Sequence, residues 1–152
     1  MAEQNKIVIK LPEGPIKGYL AAESLASLHA TSPDLRSVTV TLADSGDQRD
    51  VSLQEAKGIF FVKDFDGKLD HADLRFHDGT APAGFLWVRL TFLDGEVLEG
   101  MIENACAFVV SHGIWVTPTD PTGNNVLIYA SKSHLQHFEV LGLRQKSHRR
   151  AL

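Results

Sequence analysis

A single cysteine, Cys106, stands among 152 residues. One thiol cannot close an internal disulfide, so packing and hydrogen bonds must hold the fold, and a reducing compartment suits the chain. No apolar run approaches the roughly 20 residues that a bilayer-crossing helix needs. The opening "MAEQNKIVIK" has no apolar stretch leading to a small-residue cleavage site. A cytoplasmic location is expected, with no membrane partner. Positive charge is short as well: 15 Lys and Arg against 19 Asp and Glu, a formal net charge of −4. That disfavours nucleic acid as a partner of the whole surface. The exception is "RQKSHRRAL", residues 144–152, which holds +4 and no acid and leaves −8 elsewhere. It reads as a basic, flexible, solubilising tail, with an arm for phosphates or an acidic partner as the alternative.

The motifs of common chemistries are missing too. No Walker loop or G-x-G-x-x-G is present, so a helix N-terminus cradling phosphates has no support. No G-x-S-x-G elbow is found, and Ser111-His112 is a loop adjacency rather than a triad. Cys106 lies in "NACAFVV", where a thiol behaves as a small hydrophobe. The R-x-x-x-R arm and D-x-S-x-x-G of PilZ cyclic-dinucleotide barrels are absent. "DFDGKLDHAD" suggests calcium, but aligning Gly67 with the invariant EF-hand glycine places Val62 at the first ligand position. It reads instead as a solvated acidic turn. His134 and His137 fall at a turn and the next strand, facing opposite ways, with no CxxC nearby. His71 and His77 fare no better. No metal site, cofactor or catalytic residue is expected, and an enzyme is the minority reading.

What the sequence does have is strands. "KIVIKL", "SVTVTL", "GIFFV", "WVRLTFL", "EVLEGMI", "GIWVTP", "NVLIYA" and "HFEVLG" are short, rich in β-branched and aromatic residues, and bounded by turn residues. "GIFFV", Gly58 to Val62, is apolar throughout and should be buried on both faces. "AAESLASLHA", Ala21 to Ala30, is either an elaborated strand or one short helix.

The order repeats. Glu13-Gly14 matches Asp94-Gly95 as a hairpin turn needing positive φ, and Gly18 matches Gly100, where a glycine in a strand signals a bulge or bend. "VSLQEAKGIFFV" lies without gaps over "YASKSHLQHFEV", with a polar stretch suited to one 3₁₀ turn. The expected fold is therefore all-β: two tandem five-stranded SH3-like or Sm-like barrels, residues 6–63 and 86–141. An acidic linker, 64–85, joins them, and the tail occupies 142–152. Trp87, Phe92, Trp115, Phe60 and Phe138 are expected in the cores.

"FFVKDFDG", Phe60 to Gly67, together with "FLDGEVLEG" and "PTDPTGNN", resembles an uncharacterised bacterial domain family of unknown function. The resemblance spans about Ile7 to Leu141, and it implies architecture without catalytic residues. A more distant similarity links the D-G turn and later glycine to Sm-like RNA-binding barrels.

Function is then expected in loops carried on rigid strands. The candidate surface joins the linker (Asp64, Phe65, Asp66, Asp70, Phe76) to the loop Pro118–Asn125 (Asp120, Asn124, Asn125), an apolar patch within an acidic rim. It suits another protein or a peptide, in a non-enzymatic interaction or regulatory module. Two alternatives stand beside it. One is an Sm-like RNA binder using Asn124-Asn125, Lys132 and the tail. The other is a ligand-binding or hydrolytic enzyme with its site between the barrels.

Overall fold

The computed structural model describes residues 5–30, 34–66, 84–105, 107–119 and 123–143. Strand β1 (Lys6–Leu11) turns into β2 (Gly14–Leu20), then helix α1 (Ala22–His29), β3 (Ser37–Leu42), β4 (Gln48–Ser52) and β5 (Gly58–Val62). The second half runs β6 (Phe85–Phe92), β7 (Val97–Glu103), α2 (Ala107–Val110), β8 (Gly113–Pro118), β9 (Asn125–Ser131), a 3₁₀ turn (Lys132–His134) and β10 (Leu135–Leu143). All pairings are antiparallel, and the spatial order is β10-β6-β7-β8-β9-β5-β1-β2-β3-β4.

This corrects the expectation of two closed barrels. The ten strands form one open sheet, because β5 pairs along its length with β9 from the other half. Each strand would otherwise be an unpaired edge, and each satisfies the other's backbone groups. The strand order is nevertheless the same on both sides of the junction: β5-β1-β2-β3-β4, and β10-β6-β7-β8-β9.

Register ties the halves together residue by residue. Ile7 lies opposite Gly18 and Phe61, and Val88 lies opposite Gly100 and Val140. Ser37 faces Ser52, and Gly113 faces Ser131. The gapless overlay of Val51–Val62 on Tyr129–Val140 is therefore one residue out; Val51 corresponds to Ala130 and Phe61 to Val140. A slip of one residue exchanges the two faces of a strand, so apolar composition alone hides it.

The turn reading holds. Gly14 and Gly95 have φ of 128° and 91°, where a side chain would be strained. Gly18 and Gly100 are close approaches rather than bulges, since the ladders run through both without a shift. A Cβ on Gly18 would overlap the Thr41 carbonyl oxygen and Val40; one on Gly100 would overlap Thr117 and Val116 in the same way.

Ala21–Ala30 resolves as a helix. Leu25 and Leu28, three apart, turn one face of α1 to the core, where Leu28 is fully buried. Ser24 Oγ accepts the Thr39 backbone N–H at 2.9 Å, fixing the helix to β3. The second half has the short α2 at the same place in its order. The 3₁₀ turn expected in both halves is present at Lys132–His134, whereas the first half has a plain turn at 53–55.

Two cores result, and each borrows from the opposite half. The first gathers Ile7, Ile9, Val38, Val40, Ile59 and Phe61 with Tyr129. The second gathers Val88, Leu90, Phe92, Val116 and Ile128 with Phe60 and Val62. Strand β5 is buried at every residue, as its composition predicts, because its two faces serve two different cores. Phe138 departs from expectation: it is 37% exposed on β10.

Candidate functional site

The described ends of the two loops, residues 64–66 and 123–125, are joined by hydrogen bonds. Beyond the last ladder pair of β5 and β9, the Lys63 N–H donates to the Asn124 carbonyl at 2.9 Å. The Asn124 side chain then continues the ladder. Its Oδ1 accepts the Asp64 N–H at 3.0 Å and its Nδ2 donates to the Asp64 carbonyl at 2.9 Å. An asparagine amide carries one donor and one acceptor group, so it can mimic a peptide unit in this way. Asp64 Oδ1 accepts the Asp66 N–H at 3.1 Å, closing a local turn. Asn125 is the first residue of β9 and pairs with Val62.

Phe65 is pinned by this turn. Its ring meets Tyr19 edge to face at 5.5 Å, and the Lys6 ammonium lies 5.7 Å from its centroid. Beside it opens a groove of about 550 Å³ lined by Ile16, Lys17, Asp44, Arg49, Phe65 and Asp66. Both signs of charge border the ring here, so the rim around Phe65 is mixed rather than wholly acidic. Asp64, Phe65, Asp66, Asn124 and Asn125 thus share one corner of the sheet. Asp70, Phe76 and Asp120 lie outside the described residues, as does Cys106.

A second feature escaped the sequence reading. A cavity of about 350 Å³ lies where α1 meets the second half, lined by His29, Met101, Glu103, Ser111, Trp115 and Leu127 among others. The His29 imidazole stacks on the Trp115 indole with centroids 4.6 Å apart and planes 7° from parallel. Trp115 Nε1 donates to the Leu28 carbonyl at 3.4 Å, and its ring also meets Tyr129 and Phe61. Burial pushes the Tyr129 phenol pKa up, partly opposed by a hydrogen bond with the Gly113 backbone. A Cβ on Gly113 would run into that ring. The signal available was Trp115 alone; its partner His29 lay in the segment left open between helix and strand.

Lys57 also joins the halves. Its Nζ lies 2.7 Å from Asp94 Oδ2 and 2.5 Å from Glu96 Oε2, over the Phe92 ring at 4.7 Å. Burial of Lys57 works against its charge, yet the bonds to Asp94 and Glu96 outweigh that and raise its pKa. The same hydrogen bond from Lys57 lowers the Asp94 carboxyl. Among the described residues, no helix is long and apolar enough to cross a membrane.

A family model described as a family of unknown function, DUF6982, matches residues 3–142. No curated protein and no solved structure matches the chain.

Proposed function

The chain belongs to DUF6982, a family of unknown function, and we propose that it is a non-enzymatic interaction module built from two tandem five-stranded units, of SH3-like or Sm-like strand order, joined in one open sheet. The observation that carries this reading is the Asn124–Asp64 clamp. It welds the start of the linker to the loop before β9 and fixes the placement of Phe65 beside a charged groove. Rigid strands with an anchored aromatic at their loop end are the arrangement by which small β modules hold peptides. The linker sequence adds Asp70, Asp73 and Asp78 beyond Asp64 and Asp66, so the partner it suits is a basic protein segment carrying an apolar residue. The matching strand order, the paired close-contact glycines and the shared register support the duplication.

Titration with lysine-rich peptides bearing one aromatic residue, read by backbone amide shifts, tests the reading. The expected shifts centre on Asp64–Asp66 and Asn124 and shrink as salt rises. Tight RNA binding at low salt that survives removal of residues 144–152 would overturn it.

The His29–Trp115 cavity favours a second reading, a small-ligand site between the halves, since residues of both halves line it. A thermal-shift screen whose hits are lost in Trp115→Leu supports that reading; a screen without hits removes it.

A further inference from the structure

Among the described residues the sheet ends in two different edges, β10 at one side and β4 at the other. By strand order β10 is the counterpart of β5, and β4 is the counterpart of β9. Those two counterparts are the strands that pair at the joint inside the chain. From this we propose that the β10 edge of one copy docks antiparallel on the β4 edge of a second copy, extending the internal joint between molecules. The inference uses strand order and edge chemistry, and it does not depend on any partner of the Phe65 loops.

The internal joint supplies the register. There Ile59 faces Tyr129, Phe60 faces Ile128 and Phe61 faces Leu127. The corresponding pairs between copies are Phe138 with Asp50, Glu139 with Arg49, and Val140 with Gln48. Where the joint has two apolar residues, Phe60 and Ile128, the outer edges carry an acid and a base. Both have changed together, and the result is an attractive cross-strand pair. Among the described residues each makes one exposed ion pair: Arg49 to Glu13 at 3.1 Å and Glu139 to Arg89 at 3.8 Å. Both side chains can therefore turn to a new partner. The sequence running on from β10 is basic, with Arg144 and Lys146, and the turn into β4 is acidic, with Asp44 and Asp47. The antiparallel arrangement brings the end of β10 at Leu143 to the start of β4 at Gln48.

Ile59 and Phe61, packed in the first core with Tyr129 from the other half, are 0% and 8% exposed, whereas their counterparts Phe138 and Val140 are 37% and 50% exposed. A docked β4 would cover this flank. Asp50 and Gln48 match it less well than Tyr129 and Leu127 match the joint, so the contact is weaker than the joint and relies on the ladder and the charge pair. Its two surfaces differ, so the contact is heterologous: it closes into a ring or continues as a filament according to the rotation per copy.

Sedimentation velocity on the full chain over a concentration series, at about 20 mM and about 0.5 M salt, tests this. The expected result is reversible self-association at low salt that falls away at high salt. Arg49→Glu and Glu139→Arg should each weaken it at least about tenfold, and the double reversal should restore it to within about threefold. Mixing the two single variants should restore it as well. Circular dichroism and melting of each variant establish that the loss is not unfolding. A chain that stays monomeric at low salt would overturn the proposal. So would association indifferent to Arg49→Glu, which would point to β10 meeting β10 about a twofold axis.

Discussion

Strands β5 and β10 occupy the same place in their halves and live in opposite surroundings. Strand β5, "GIFFV", is buried at every position between two cores; β10 has one strand beside it among the described residues, and Phe138 and Val140 on it are exposed. The sequences record the difference. Gly58 and Phe60 correspond to His137 and Glu139, so the face that β5 gives to the second core is polar on β10. A strand's composition thus reports how many neighbours it has, not its place in the repeat.

The sharpest way to break that comparison is to write the acid of β10 into β5. Phe60→Glu would bury a carboxylate against Ile128, with the Lys10 ammonium that now lies 4.4 Å from the ring as its one nearby counter-charge among the described residues, and should cost about 3 kcal/mol or more. Urea denaturation measures it, and a loss under about 1 kcal/mol would show that the joint is open to water.

The paired glycines sharpen the comparison from another side. Gly18→Ala and Gly100→Ala meet the same obstacle, a carbonyl oxygen and a valine on the next strand. Each should lose about 2–3 kcal/mol. Equal losses support equivalent halves; a large loss in one alone, measured by the same denaturation, would break the equivalence.

Smaller effects belong to the ties between halves. Lys57→Met should lower the melting temperature by about 2 °C at neutral pH, since Asp94 and Glu96 are largely exposed. The sign with pH follows from the shifts. Asp94 is lowered on folding, so its contribution is present above its ordinary value of 3.8 and is lost as pH falls through the folded value. Lys57 is raised, so its contribution is present below 10.5 and is lost as pH rises through its folded value. Melting curves from acid to alkali should converge for the parent and the variant at both ends. Asn124→Ala should cost about 1 kcal/mol, visible chiefly as faster hydrogen exchange at Lys63 and Asp64.

The strands, the turn glycines and the buried run of β5 were legible because each depends on a few neighbouring residues. The repeat was legible in order but not in register, since Val51–Val62 slides one residue along its counterpart without disturbing its composition. The single sheet was not legible. Nothing local in "GIFFV" or "NVLIYA" says that these two strands, far apart in sequence, pair with one another. At the candidate site, Asp64, Phe65, Asn124 and Asn125 were nominated for turn chemistry and exposure. The amide clamp joining them is a tertiary contact that no spacing reveals. His29 was missed because its importance comes from stacking on Trp115, which requires the fold.

The shared strand also governs how the polypeptide is made. A ribosome releases β5 about sixty residues before β9. Until β9 emerges, Phe60 and Val62 have no core to enter and the outer edge of β5 has no ladder to join. The first half is therefore a nascent chain with an apolar, unpaired strand at its newest end, the condition that favours capture by holding chaperones or pairing between neighbouring nascent chains. Neither half can reach its final packing alone, so the last strands synthesised complete the first core as well as the second.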